Sequence, residues 1–200
     1  MVKIGIIALQ GSVEEHIAAM KKALQERGGG EVVAIKHRGI VPSCDAIVIP
    51  GGESTTLSRL AWREGIAEEI IEAAKQGKPV LGTCAGLILL ARYGDGEVAR
   101  SGQRLLCLMD IHVNRNAFGR QRESFEVELE IKGFDKPFNA VFIRAPAITK
   151  VGEGVEVLAR YNDFIVAAQQ SNLLALAFHP ELTSDLRLHH YFLSFLKQKQ

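Results

Sequence analysis

The chain has no excess of charge of either sign: 24 Lys and Arg stand against 23 Asp and Glu, a formal net charge of +1 over 200 residues. Without a basic run long enough for a phosphate footprint, a nucleic-acid partner is excluded. No apolar stretch approaches the roughly 20 residues of a membrane-spanning helix. The N-terminus, Met1 to Leu9, is a short strand-like run containing Lys3 and lacks the layout of a secretory signal. Cysteine is scarce as well: Cys44, Cys84 and Cys107 are well spaced and form no Cys-x-x-Cys pair. An odd number without metal-ligand spacing argues against a disulfide framework and a metal centre, and suits free thiols in a reducing cytoplasm. No repeat, low-complexity tract or Pro/Ser-rich linker divides the chain. One domain over residues 1–200 is therefore expected, with 47% apolar residues to supply its core.

The most informative segment present is Gly82-Thr83-Cys84-Ala85-Gly86, which places a cysteine between two glycines. The apolar run Pro79-Val80-Leu81 before it reads as a buried strand, and Leu87 to Ala91 after it as a helix. A sharp strand-to-helix turn needs small neighbours and lifts its central side chain clear of the sheet. The unpaired N–H groups at the start of the following helix favour a thiolate, and the N–H of Ala85 can face an oxyanion. Inert packing is the competing reading of a lone cysteine, and it is kept for Cys44 and Cys107, which have no such turn around them.

A nucleophilic cysteine requires a base and a group to orient that base. His179-Pro180-Glu181 supplies both at the end of the apolar run Leu173–Phe178. Side chains two apart on extended backbone point the same way, and Pro180 holds His179 out of helical geometry. The remaining histidines, His16, His37, His112, His189 and His190, have no carboxylate or cysteine at ligand spacing and are assigned structural or solvated roles. Pro50-Gly51-Gly52-Glu53-Ser54-Thr55 follows the strand-like Ala46–Ile49. Its paired glycines allow a tight turn whose N–H groups face a developing negative charge. A phosphate loop is the weaker alternative, because no lysine follows the glycines and no Gly-x-Gly-x-x-Gly spacing exists.

Strand and helix patterns alternate through the first half: a strand over 2–9, a helix from Ser12 to about Arg27 with Ser12 and Glu15 as a capping box, strands over 32–36 and 45–49, and a helical stretch over 56–75 broken near Gly65. This predicts a parallel sheet covered on both faces. In the second half, strands over 125–131, 140–143, 155–161, 165–169 and 173–178 follow at hairpin-like spacing, so the sheet there is mixed or antiparallel. A helix from about Ser184 to Lys197 closes the chain, and the stretch from Gly94 to Leu108 carries no pattern.

The turn around Cys84, the paired glycines and the His-x-Glu triplet together resemble the class I glutamine amidotransferases. Ala8-Leu9-Gln10-Gly11, the segment from Arg115-Asn116-Ala117-Phe118 to Gly119-Arg120-Gln121, Ser124-Phe125-Glu126, Phe142-Ile143-Arg144-Ala145-Pro146 and His179 to Thr183 are similar to the glutaminase subunits of pyridoxal 5′-phosphate synthases. The resemblance implies an α/β three-layer, flavodoxin-like fold and hydrolysis of L-glutamine by a triad of Cys84, His179 and Glu181. It implies an oxyanion hole of backbone groups from Gly51, Gly52 and Ala85. It also implies a glutamine site formed by Gly52, Glu53, Ser54, Arg115, Ile143 and Arg144. Glu53 and Arg115 are reasonable receptors for an ammonium and a carboxylate, while a helix cap and surface ion pairs remain the alternatives for Glu53 and for Arg115 and Arg144. No cofactor or metal is implied. Ammonia must leave for a partner, by resemblance a barrel-shaped synthase subunit, whose docking near Gln10 and Gly11 is expected to switch the Gly51-Gly52 turn.

Overall fold

The structure is a computed structural model that describes residues 1–119 and 124–196. Arg120 and Gln121, at the end of the Arg115 segment, and Lys197, the expected end of the last helix, lie outside the described residues. In chain order the elements are β1 (Lys3–Ile7), α1 (Val13–Glu26), β2 (Glu31–Ile35), β3 (Ala46–Ile49), α2 (Ser54–Arg63), α3 (Ile66–Lys75), β4 (Val80–Thr83) and α4 (Ala85–Leu90). They continue as β5 (Ala91–Gly94), α5 (Gly96–Ser101), β6 (Met109–Asn114), β7 (Ser124–Leu129), β8 (Phe138–Ile143), β9 (Ala147–Val151), β10 (Glu156–Tyr161), β11 (Phe164–Gln170), β12 (Leu173–Leu176) and α6 (Arg187–Leu193).

Among the described residues the main sheet has ten strands in the order β2-β1-β3-β4-β12-β11-β9-β6-β5, with β10 paired to β11. The block β2-β1-β3-β4-β12 is wholly parallel, and its central strands β3, β4 and β12 are buried at every position. That is why they read as continuous apolar runs, since helices cover a parallel sheet on both faces. From β12 onward the pairs β12–β11, β11–β10, β11–β9 and β9–β6 are antiparallel, as the change of period in the second half predicts. β7 and β8 form a separate hairpin. Phe125 on β7 stacks on Phe142 on β8 at 4.7 Å, and Phe118, Tyr161 and Phe164 close around them, fastening the hairpin to the sheet.

Several expectations change. Glu64 and Gly65 do break the helical stretch, Gly65 in the left-handed region, but Ser12 makes no side-chain cap on α1. Its hydroxyl donates instead to Glu181 Oε1, 2.8 Å away. The helix expected after Cys84 ends at Leu90, and Ala91–Gly94 turns into the parallel partner of β6. The unpatterned stretch contains α5, capped by Asp95 through the N–H groups of Glu97 and Val98. β9 adds a strand beyond those the sequence predicts, and α6 is shorter than the expected closing helix. His112 lies on β6 and stacks on Tyr93. Cys44 is buried as expected, whereas Cys107 is exposed and does not pack. Among the described residues no helix is long and apolar enough to cross a membrane.

Candidate active site

β4 and β12 are neighbours in parallel register, Thr83 opposite Leu176, so the segments that follow both strands emerge side by side at the carboxyl edge of the sheet. Cys84 follows β4 directly and is tied to β12 by its N–H, which donates to Leu176 O at 2.8 Å. Its backbone sits at φ 50°, ψ −105°, in positive-φ space that a non-glycine residue rarely occupies. The turn is this tight because its neighbours are small. A Cβ on Gly86 would fall 2.1 Å from the carbonyl oxygen of Ile49, and one on Gly82 would fall 2.5 Å from that of Gly86. Backbone oxygens cannot yield, so both positions require glycine. The Cys84 Sγ lies 3.8 Å from the Ile143 carbonyl oxygen, and the side chain is nearly buried.

His179 is anchored from the other direction by its N–H, which donates to Val141 O at 2.8 Å and brings the end of β8 to the site. Its Nδ1 faces Glu181 Oε1 at 2.6 Å. His179 directly precedes the short 3-10 turn Pro180–Leu182, which contains Glu181, so a tight turn and not the expected extended backbone brings the two side chains together. Burial would lower the pKa of His179, but its hydrogen bonds to Cys84 and to Glu181, with the charge on each, outweigh burial and raise it to about 10. The ring is therefore an imidazolium at neutral pH, with Nδ1–H donating to the carboxylate. Burial likewise works to raise Glu181, but hydrogen bonding from His179, the nearby His16 and the Ser12 hydroxyl hold it at about 2.

The Gly51-Gly52 turn lies opposite. The Ser12 N–H donates to Gly51 O at 3.1 Å, and Gln10 Oε1 accepts from the Glu53 N–H at 2.8 Å. Gln10 and Gly11 thus lie directly against the turn. Glu53 caps α2: its Oε1 accepts from Thr55 N and its Oε2 from Thr56 N. These bonds outweigh burial and hold its carboxyl at about 2. Arg115 pairs with the same carboxylate, Nη2 to Oε1 at 2.6 Å, while its backbone N–H donates to Asp95 Oδ2. The capping alternative for Glu53 is thus realised, and the two groups expected to receive opposite ends of an amino acid are joined to each other. The Ser54 hydroxyl donates to Gln103.

Gln10, Gly51, Gly52, Glu53, Ser54, Cys84, Ala85, Arg115, Ile143, Arg144 and His179 all line one cleft of about 670 Å³. Gly11 and Glu181 stand behind its wall. Ser12, Ile88, Glu97 and Asn116 line it as well, none of them singled out as a site residue from sequence. Among the described residues no group of three His, Cys, Asp or Glu could hold a metal ion. A cysteine on a strained turn, an imidazolium aimed by a buried carboxylate and an open cleft beside them are the equipment of acyl transfer through a thioester.

Residues 6–198 match the SNO glutamine amidotransferase family. Among curated relatives, the pyridoxal 5′-phosphate synthase subunit PdxT of Methanocella arvoryzae is 71% identical over 194 residues, covering 97% of both chains. The subunit of the same name from Methanosarcina mazei is 66% identical over 192 residues and 96% of each chain. A solved structure described as a glutamine amidotransferase superposes with a TM-score of 0.86 at 44% identity, covering 96% of this chain and 98% of that one. PurLQS from Thermotoga maritima, at 18% identity and a TM-score of 0.68, shares the fold. This chain belongs to the SNO glutamine amidotransferase family.

Proposed function

We propose that this chain is the glutaminase subunit of a pyridoxal 5′-phosphate synthase, hydrolysing L-glutamine to L-glutamate and ammonia. The observation that carries the proposal is the meeting of Cys84 and His179, from segments following β4 and β12, at one cleft with Glu181 behind His179, in a chain closely similar to PdxT subunits. Cys84 Sγ attacks the side-chain carbonyl of glutamine, and the new C–S bond leaves a tetrahedral oxyanion facing the N–H groups of Ala85 and of Gly51 or Gly52. The imidazolium of His179 gives its proton to the departing nitrogen, so ammonia leaves and a thioester remains on Cys84. His179, now neutral, takes a proton from water as that water attacks the thioester, which releases glutamate and restores the imidazolium.

Gly52, Glu53, Ser54, Arg115, Ile143 and Arg144 are assigned to glutamine recognition. The Glu53–Arg115 pair offers the ammonium a carboxylate oxygen and the α-carboxylate a guanidinium within one patch of the cleft wall. Ammonia passes to a barrel-shaped synthase subunit that joins it to ribose 5-phosphate and glyceraldehyde 3-phosphate. Pyridoxal phosphate is then the product of the complex and no cofactor of this chain. Docking near Gln10 and Gly11 would reset the Gly51-Gly52 peptide, whose carbonyl is engaged by Ser12, and complete the oxyanion site.

The test is glutamate release by the chain with and without its synthase subunit. We expect turnover to rise on assembly and to vanish in Cys84→Ala, with a glutamine-analogue electrophile labelling Cys84 alone. Full turnover in Cys84→Ala would overturn the triad assignment. Equal kcat for the isolated chain and the complex at saturating glutamine would overturn the switch while leaving the triad intact.

A further inference from the structure

Two buried histidines that the chemistry above does not use, His16 and His189, lie behind Glu181. His16, fully buried on α1, places Nε2 3.0 Å from the Thr83 hydroxyl and 3.3 Å from Glu181 Oε2. The two oxygens of this carboxylate have different surroundings. Oε1 faces both His179 Nδ1 and the Ser12 hydroxyl, whereas Oε2 is buried and has no hydrogen bond of good geometry among the described residues. The His16 ring nitrogen, 3.3 Å away, is within reach of it. A buried, ionised oxygen with no donor costs more than a mediocre bond to one.

The tautomer follows from the same surroundings. His16 Nδ1 has no partner, so it carries no proton that would need an acceptor. A bare Nε2 would set a lone pair against a carboxylate, so Nε2 bears the hydrogen and directs it between Glu181 Oε2 and Thr83 Oγ1. Burial is the main cause that lowers the pKa of His16, and His179 lowers it further, so the ring is neutral and acts through its N–H dipole. Glu181 and Glu15 oppose this shift, and His189 on α6, also buried and neutral, is the remaining titratable neighbour.

We propose that His16 is a positioning residue of the triad: its Nε2–H holds Glu181 Oε2 and thereby fixes the rotation of the carboxylate that aims Oε1 at His179. Thr83 immediately precedes Cys84, so one N–H ties the nucleophile's strand to the carboxylate that orients the base. The inference rests on the triad reading above.

The test is a double-mutant cycle on kcat and KM for glutamine hydrolysis, measured on the chain assembled with its synthase subunit. A hydrogen bond to an ionised group is worth enough that His16→Leu should lower kcat by about tenfold or more, with KM within about twofold. His16→Gln, whose amide N–H can reach the same place, should recover most of that loss. In a Glu181→Gln background, which removes the charge being held, His16→Leu should cost less than about twofold. His16→Met, unbranched and adaptable, runs through the same cycle in parallel and decides the matter if the leucine variant does not fold. Equal losses in both backgrounds, a Gln variant no better than Leu, or an effect on KM alone would overturn the proposal. A wild-type rate in Glu181→Gln would instead overturn the triad reading beneath it.

Discussion

Gly51→Ala tests how closely the cleft is fitted around its base. A Cβ on Gly51 would stand 2.4 Å from His179 Cε1, 3.2 Å from His179 Nδ1 and 3.1 Å from Cys84 Cβ. To reach ordinary contact near 3.4 Å, the imidazole or the turn must give way by about 1 Å. The ring has little freedom, because Nδ1 is held at 2.6 Å by Glu181 and the His179 N–H is bonded to Val141 O. The turn can move only by breaking the bond from Ser12 N to Gly51 O. Either movement displaces a reacting or stabilising group, and a displacement of about 1 Å costs roughly a hundredfold in rate. We expect kcat for glutamate release by the assembled complex to fall about a hundredfold with KM little changed, since the methyl group meets the base and not the Glu53–Arg115 patch. Overpacking should lower stability by no more than about 1–3 kcal/mol, which a urea titration can separate from the loss of turnover. A kcat within about threefold of wild type, in a folded variant, would refute the reasoning.

Three further outcomes follow from the geometry. Burial lowers His189 from 6.5 to about 4, and His16 is lowered as well; the unfolded chain takes up these protons below pH 6.5 and the folded chain does not. Stability should therefore fall between pH 6.5 and 4, ahead of the loss from Glu181 below pH 4.5, while the contribution of His179 is complete below pH 6.5 and lost as pH rises through about 10. A Tm unchanged between pH 7 and 5 would contradict this. Glu53→Gln should cost about 1 kcal/mol in chemical denaturation through the weakened cap and raise the KM for glutamine more than it lowers kcat; an unchanged KM would remove Glu53 from recognition. A general alkylating reagent should modify Cys107, which is exposed, as well as Cys84, and Cys107→Ser should abolish only the second modification, as intact-mass measurement can verify.

The site was legible in the sequence where its chemistry is local. Gly82 and Gly86 bracket Cys84 because backbone crowds both, and His179 and Glu181 are two residues apart, although a 3-10 turn and not an extended strand end brings their side chains together. The central strands were readable because burial on both faces leaves unbroken apolar runs. Contacts between distant segments were not readable. Ser12 and Glu15 have the spacing of a capping box, yet the Ser12 hydroxyl turns to Glu181, because a buried carboxylate is a stronger acceptor demand than a helix terminus open to water. His16 has no ligand spacing around it in the sequence, although it falls on the buried stripe of α1 with Ala19, Met20, Ala23 and Leu24. A lone polar residue within an apolar stripe was the available signal, and its partner lies far along the chain. β5 and α5 are not legible in the sequence because four- and six-residue elements rich in charge and glycine show too little periodicity to stand out.

The position of β12 has a consequence for how the protein is made. The strand inserts between β4 and β11 in the middle of the sheet, yet among the described residues it is the last strand in chain order. While the ribosome is still translating, β2, β1, β3 and β4 can already be paired, with Cys84 in place on a β4 edge that has nothing beside it. An open apolar edge of that kind invites association with other nascent chains until residues 173–176 arrive to cover it. The same event delivers His179 and Glu181. A truncated product therefore lacks its base and its edge protection together, and glutamine hydrolysis can begin only after the sheet is closed.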